Sequence, residues 1–109
     1  MKTEVIIQFN VEGFHQWVDA IPEVEFLKFP HFHTFTMRVA FEVSHDDRER
    51  EIFMERDAMK QYFSTKYGER KWFEGRSCEH IAKEILELDP AITWAEVWEE
   101  QTGGARVSR

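Results

Sequence analysis

The fold is decided by the stretch His31–Val43, which reads HFHTFTMRVAFEV. One set of alternate positions carries two histidines and then only apolar side chains: His31, His33, Phe35, Met37, Val39, Phe41 and Val43. The other set mixes polar and apolar residues. An alternation with a period of two is typical of a β-strand that buries one face. The stretch therefore predicts a long strand whose buried face begins with two histidines.

The segment before this strand predicts a first strand and then an irregular connection. Residues 3–11 alternate between apolar and mostly polar side chains, which predicts a strand there. Gly13 interrupts the pattern, and we expect a β-bulge or a close approach of another backbone at that point. Residues 14–30 include Pro22 and Pro30 and predict no regular element.

The segment after the strand predicts two helices and then two short strands. Over about 51–65 the apolar residues recur with the period of a helix. Ser77 is a good N-cap for a second helix, which Asp89-Pro90 ends. Residues 92–99 alternate again, and 105–108 predict a closing strand.

This order of elements predicts one α+β domain over residues 1–109. Strands flank a pair of helices instead of alternating with single ones, which favours an antiparallel sheet over a parallel one. We therefore expect a four-stranded antiparallel sheet with two helices inserted between strands two and three.

Composition excludes several classes of function. Asp and Glu number 21 against 14 Lys and Arg, for a net charge of -7, so a nucleic-acid partner is not expected. No apolar run approaches the roughly 20 residues that span a bilayer, so no membrane partner is expected. The one cysteine, Cys78, cannot form an internal disulfide, and this predicts a cytoplasmic protein.

Three histidines predict a metal site. His31 and His33 leave the same face of their strand, and an adjacent antiparallel strand would bring His15 beside them. Three imidazoles with an open fourth position form the ligand set of a catalytic zinc, whereas a structural zinc needs a fourth protein ligand from Cys78 or Glu99. The alternative is that the histidines only pack or form hydrogen bonds.

The strand at 92–99 raises two further questions. Glu99 ends a strand face that otherwise packs inward, so it either reaches solvent or accepts two parallel hydrogen bonds from an amidine-like heterocycle edge. Trp94 and Trp98 lie on the opposite face. They either form an interface with another subunit or pack under the helices.

Five stretches of the chain resemble the motifs of a known family, in the family's order. They are Val11–His15 (VEGFH), Pro30–Phe35 (PHFHTF), Ile52–Lys60 (IFMERDAMK), Arg76–Ala82 (RSCEHIA) and Ala95–Glu100 (AEVWEE). The chain resembles the 6-pyruvoyltetrahydropterin synthase and 6-carboxytetrahydropterin synthase family, whose members have the T-fold. The resemblance spans nearly the whole chain, although no single motif is intact.

The resemblance implies a site and a reaction. The zinc ligands would be His15, His31 and His33, and Glu99 would hold the pterin ring, with Ser77 and Cys78 beside the ligand. The ligand would be a pterin or purine-like heterocycle such as 7,8-dihydroneopterin triphosphate, and the chemistry that of a carbon-oxygen or carbon-carbon lyase. Family membership would also imply a homo-oligomer, a hexamer of two stacked trimers, in queuosine or tetrahydropterin biosynthesis.

The catalytic groups of the family are not found in this chain. Leu27 is at about the position of the family's cysteine, and the loop 67–74 (YGERKWFE) lacks the family's Asp-His pair. Catalytic residues therefore stay unassigned, and a diverged protein that binds zinc and a heterocycle without synthase activity is the alternative. A cupin-like barrel also uses an H-x-H pair, but the inserted helices and the lack of a Glu shortly after His33 count against it.

Overall fold

The computed structural model describes residues 1–109 as one four-stranded sheet with helices. The strands and helices are β1 (Thr3–His15), β2 (His31–Val43), α1 (Ile52–Tyr67), α2 (Cys78–Leu86), β3 (Ile92–Glu99) and β4 (Gly103–Ser108), with a 3-10 helix at Pro22–Lys28. The sheet order is β1-β2-β3-β4, and every neighbouring pair is antiparallel. The α+β class and the four-stranded antiparallel sheet are confirmed. None of the helices has the length and apolar character needed to cross a membrane.

The core lies between one face of the sheet and the two α-helices. The face of β2 that begins with the histidines continues into Phe35, Met37 and Val39, none of which is exposed to solvent. Helix α2 covers this face with Ile81 and Ile85, which are also fully buried. The apolar face of the alternating strands and the apolar stripe of α2 therefore pack against each other in one layer.

The other face of the sheet carries the tryptophans of β3. Ala95 and Val97 face the helices and are fully buried, so Trp94 and Trp98 point away from them. The alternative that these tryptophans pack under the helices is wrong. Instead the guanidinium of Arg106 lies over the Trp94 ring, 4.3 Å from its centroid, which is a cation–π geometry.

Strand β1 is longer than its pattern predicts, and Gly13 lies inside it. Gly13 pairs in register with His33, so the strand has no bulge there. A Cβ at Gly13 would lie 2.6 Å from the Phe73 ring and 2.7 Å from the Lys71 carbonyl oxygen. The predicted close approach of another backbone is therefore confirmed, and only glycine leaves room for it.

The connections also differ in part from their predictions. Part of 14–30 forms the 3-10 helix, although the sequence predicts nothing regular there. Ser77 caps α2 as predicted, because its side chain accepts a hydrogen bond from the backbone N–H of His80 at 3.1 Å. Helix α2 ends at Leu86, earlier than Asp89-Pro90 indicates.

A buried carboxylate organises the uncovered face of the sheet. Glu96, in β3, is only 4% exposed and accepts hydrogen bonds from Arg106 Nε at 2.7 Å, Trp98 Nε1 at 3.1 Å and Arg38 Nη1 at 3.2 Å. Burial raises the pKa of Glu96, but the hydrogen bonds from Arg106 and Trp98 outweigh it, so the net pKa lies below its usual 4.5. The ionised form is therefore the one that the fold stabilises.

Replacing Glu96 by glutamine is expected to lower the free energy of unfolding by about 1–3 kcal/mol at pH 7, because the two arginines lose their counter-charge. A carboxyl with a lowered pKa contributes stability above its unfolded pKa, and this contribution is lost as the pH falls through the folded pKa. The difference between wild type and Glu96→Gln should thus shrink below about pH 4.5. Urea unfolding at pH 7 and pH 3.5 measures it, and a difference that is equal at both pH values would contradict this account of Glu96.

Candidate metal centre

The sheet brings the three predicted histidines together at one end of β1 and β2. His15 is the Cα partner of His31 across the two strands, and His33 lies two residues further along β2 on the same face. The ring centroids lie 4.4 Å apart for His15 and His31, 4.9 Å for His31 and His33, and 5.2 Å for His15 and His33. One ring nitrogen from each histidine lies within 4.8 Å of the other two. The three histidines are therefore close enough to bind one metal ion.

Hydrogen bonds at Nδ1 fix the orientation of two of these rings. His15 Nδ1 lies 3.0 Å from the carbonyl oxygen of Arg76, and His31 Nδ1 lies 2.9 Å from that of Phe29. A carbonyl only accepts, so each Nδ1 carries the proton and donates it. In the neutral rings Nε2 then holds the lone pair that a metal needs.

The third ring has a carboxylate beside its Nδ1. His33 Nδ1 lies 3.5 Å from Glu100 Oε1, and the same oxygen accepts a hydrogen bond from the backbone N–H of Thr34 at 2.7 Å. Carboxylates and carbonyls in this position orient metal-bound histidines in many proteins. Each of the three rings therefore has an acceptor oxygen within 3.5 Å of its Nδ1.

The Nε2 atoms of the three histidines fit a metal. All three are buried, and none forms a hydrogen bond in the protein. The carboxylate of Glu99 lies 3.2 Å from His15 Nε2 and 3.5 Å from His33 Nε2, and it can accept only from a protonated Nε2. A buried polar atom without a partner costs about 1–3 kcal/mol, so three at one place need an explanation. A cation that accepts the three lone pairs supplies one, and imidazole ligands suit zinc, copper, iron and nickel.

An apolar floor and a neighbouring loop hold the rings in place. The Phe35 ring packs edge-on against His15 at 5.3 Å and against His33 at 5.6 Å between centroids, and it is fully buried. On its outer side, the end of β1 is hydrogen-bonded by the loop 71–76: the N–H of Phe14 donates to the Lys71 carbonyl at 3.1 Å. The position of His15 therefore depends on this loop as well as on β2.

A cavity of about 450 Å³ opens beside the histidines. Its walls include His15, His31, Leu27, Ser77, Cys78 and Glu99. The residues that the sequence assigns to the ligand therefore share one cavity with two of the three histidines. Leu27 contributes an apolar wall.

Glu99 lines the cavity beside the histidines. Its Oε1 is 3.2 Å from His15 Nε2, and its Oε2 is 3.5 Å from His33 Nε2. Cys78 Sγ donates to the same Oε1 at 3.6 Å. Glu99 is not a member of the group whose ligand atoms all lie within 4.8 Å of one another, so this carboxylate lies beside the three-histidine set.

Charges at the site are set by these contacts. The interaction with His15 lowers the pKa of Glu99 despite its burial, so the carboxylate is ionised at neutral pH. Burial lowers the pKa of His15, but Glu99 and the Arg76 carbonyl outweigh it and raise the net pKa above 6.5. Burial lowers the pKa of His33 below 6.5. Burial also raises the pKa of the Cys78 thiol to about 12, which keeps it neutral and weakly nucleophilic.

Sequence reasoning missed the groups that support the rings. The carbonyls of Arg76 and Phe29 belong to the backbone, so no side-chain pattern identifies them. Glu100 follows Glu99 directly and has a positive φ of 51°, which turns its side chain back to Thr34. His80 lines the cavity and accepts the Ser77 N–H at 3.1 Å through Nδ1, so it closes the cap of α2.

No protein-family model matches this chain, and no curated protein gives a significant match.

Proposed function

We propose that the chain is a zinc-dependent protein of the 6-pyruvoyl- or 6-carboxytetrahydropterin synthase type, with a T-fold, that acts on or binds a pterin such as 7,8-dihydroneopterin triphosphate. One observation carries the proposal. Three buried histidine Nε2 atoms that form no hydrogen bond lie together beside an ionised carboxylate, and two of these histidines line a cavity with it. The motif resemblance supports the choice of ligand.

The ligand set supports zinc with an open position. His15, His31 and His33 offer one ring nitrogen each, and zinc binds neutral imidazole nitrogens at about 2.0–2.1 Å. Glu99 is not in the group of mutually close ligand atoms, and in this proposal the fourth position of the metal faces the cavity. When bound, the metal would act as a Lewis acid on an oxygen of the ligand's side chain.

Glu99 supports recognition of a heterocycle. An ionised carboxylate accepts two parallel hydrogen bonds, and the amidine-like edge of a pterin or guanine offers two such donors. The cavity of about 450 Å³ lies in the range of about 300–1,000 Å³ that is common for small-molecule sites. In this proposal Glu99 holds the ring edge, while Ser77 and Cys78 line the wall next to it.

A second candidate function is binding without turnover, and two observations favour it. The wall residue Leu27 cannot remove a proton, and the Cys78 thiol with its pKa of about 12 is a poor base or nucleophile at neutral pH. A positioned acid or base contributes typically about 10²–10⁴-fold to a rate. The protein would then hold zinc and a heterocycle and release the heterocycle unchanged.

The family resemblance extends the proposal to assembly and location. Large apolar side chains in the segment that precedes β2 are exposed, including Phe26 at 70% and Phe29 at 68%. Exposed aromatic residues of this kind suit a subunit interface. We propose a cytoplasmic homo-oligomer, a dimer of trimers, in queuosine or tetrahydropterin biosynthesis.

Titration of the zinc-loaded protein with 7,8-dihydroneopterin by calorimetry tests the proposed function. We expect Glu99→Gln to weaken binding at least about tenfold, because a bond to an ionised acceptor is worth roughly 1.5–3 kcal/mol. Glu12→Gln is the matched control, since Glu12 is exposed on the opposite face of β1 and the change in net charge is the same. Wild-type protein that fails to bind the pterin would overturn the proposal.

Incubation with 7,8-dihydroneopterin triphosphate, followed by mass spectrometry, separates the two candidates. Formation of a shortened or dehydrated pterin side chain would establish lyase chemistry. Binding with no product would establish the second candidate.

A further inference from the structure

We infer that Glu84 is a positioning residue for the metal ligand His15 and acts on it through Arg76. This inference rests on the proposed metal site. Glu84 lies in α2, and its carboxylate does not face the three histidines. Its effect would pass along two consecutive contacts, from the Glu84 carboxylate to the Arg76 side chain and from the Arg76 backbone to the His15 ring.

The first contact belongs to a hydrogen-bond network centred on the Glu84 carboxylate. The Glu84 side chain is only 10% exposed, and its carboxylate accepts from Tyr67 Oη at 2.6 Å, Lys66 Nζ at 2.9 Å, Tyr62 Oη and Arg76 Nη1. Tyr62, Lys66 and Tyr67 come from α1, so this carboxylate ties both helices to the residue that precedes the cap of α2. A carboxylate that accepts from four donors is held in one geometry.

The second contact orients a metal ligand. The Arg76 carbonyl accepts the Nδ1 proton of His15 at 3.0 Å, and this bond sets which way His15 Nε2 points. The Arg76 backbone has one further hydrogen bond, from its N–H to the Phe73 carbonyl at 3.1 Å. Gly75, which precedes Arg76, has no side chain to pack. The peptide group of this carbonyl is also held from its other side, because the Ser77 N–H donates to His80 Nδ1 at 3.1 Å. The guanidinium held by Glu84 is the side-chain anchor on the Arg76 side of this peptide group.

Glu96 is a buried carboxylate that has no connection to a histidine of the proposed metal site. Like Glu84 it accepts from arginine, but it lies on the opposite face of the sheet and contacts none of the three histidines. Both carboxylates are largely shielded from solvent, and they differ in their connection to the proposed metal site. Glu96→Gln is therefore a matched control for Glu84→Gln.

The test is the affinity of each purified variant for Zn²⁺, measured by competition with a chromophoric chelator. Groups that orient metal ligands typically contribute about 10–100-fold to metal affinity, so Glu84→Gln should weaken Zn²⁺ binding by about that factor. Glu96→Gln should leave the affinity unchanged, although it destabilises the fold. The absorption spectrum of the Co²⁺ form should change in Glu84→Gln and not in Glu96→Gln, because ligand geometry differs only in the first.

A charge effect must be separated from positioning. Glu84→Gln removes a negative charge near a cation site, which by itself weakens binding. Arg76→Met removes a positive charge, so electrostatics alone predicts tighter Zn²⁺ binding, whereas loss of the anchor predicts weaker binding. Tyr67→Phe keeps every charge and removes one hydrogen bond to Glu84, and we expect a smaller loss of affinity in the same direction.

Unchanged affinity in Glu84→Gln, or tighter binding in Arg76→Met, would overturn the inference while the metal site itself stands. If Glu84→Gln does not fold, Arg76→Met and Tyr67→Phe decide the question. Wild-type protein that binds no Zn²⁺ would instead overturn the proposed function.

Discussion

Replacing His15 by alanine is expected to reduce the affinity for Zn²⁺ by about a hundredfold or more. Structural zinc sites with four ligands bind with about 10–16 kcal/mol, so one ligand accounts for roughly 3 kcal/mol, which corresponds to a factor of about 100. His15 is the most buried of the three histidines, at 7% exposure, and water replaces its ring poorly. His31→Ala and His33→Ala should lose affinity to a similar extent.

The control for this prediction is His45→Ala. His45 lies in the exposed connection between β2 and α1, where its ring contacts Asp47 and Glu49 only through surface interactions. Competition titration with a chelator at pH 7.5 measures all four variants. An affinity that is unchanged in any of the three site variants would show that the ring concerned is not a ligand.

Replacing Phe35 by alanine is expected to lower the free energy of unfolding of the metal-free protein by about 3–5 kcal/mol and to weaken Zn²⁺ binding as well. Phe35 is fully buried and touches the Phe73 ring at 5.2 Å between centroids as well as the rings of His15 and His33. Its removal leaves a cavity in the core directly beneath two of the proposed metal ligands. Urea unfolding and zinc titration of the same preparation measure the two effects.

Phe41→Ala separates the two effects of this substitution. Phe41 lies on the same face of β2, is 1% exposed, and packs under Arg50 at the opposite end of the strand. Phe41→Ala should therefore lower the free energy of unfolding by a similar amount and leave the affinity of the folded protein for Zn²⁺ unchanged. Equal losses of zinc affinity in both variants would show that global destabilisation, and not the floor of the site, governs binding.

The alternation of β2 carries most of what can be predicted from this sequence. It places His31 and His33 on the face that continues into the core, and the same period in β3 places Glu99 at the end of the matching face. The register then pairs Glu99 with Phe35, which brings the carboxylate to the histidines. The face on which each of these side chains lies depends only on alternation within its own strand, so it can be predicted from the sequence.

Contacts between distant segments account for what the pattern does not contain. Strand β1 continues to His15 because the loop 71–76 pairs with its end, through the Phe73 N–H and the Phe14 carbonyl at 2.8 Å, and glycine at position 13 lets that loop approach. The choice between the two faces of β3 likewise depends on which side the helices cover. Trp94 and Trp98 lie on the face without helices because α2 packs on Ala95 and Val97, and the sequence of β3 alone does not determine this.

Support of the metal ligands is the least predictable part of the site. The Arg76 carbonyl is separated from His15 by 61 positions, and it is a group that every residue has. Glu84 is a charged residue in an amphipathic helix and, from its position in the sequence, is expected on the solvent-exposed surface. Only the convergence of Tyr62, Lys66, Tyr67 and Arg76 on its carboxylate distinguishes it.

X-ray absorption spectroscopy at the zinc edge of the loaded protein tests the central claim most directly, because it reports the ligands of the metal itself. The account predicts three imidazole nitrogens at about 2.0–2.1 Å, one further oxygen at a similar distance and no sulfur. A sulfur shell near 2.3 Å, which would have to come from Cys78, or a coordination sphere with fewer than three imidazoles, would contradict it.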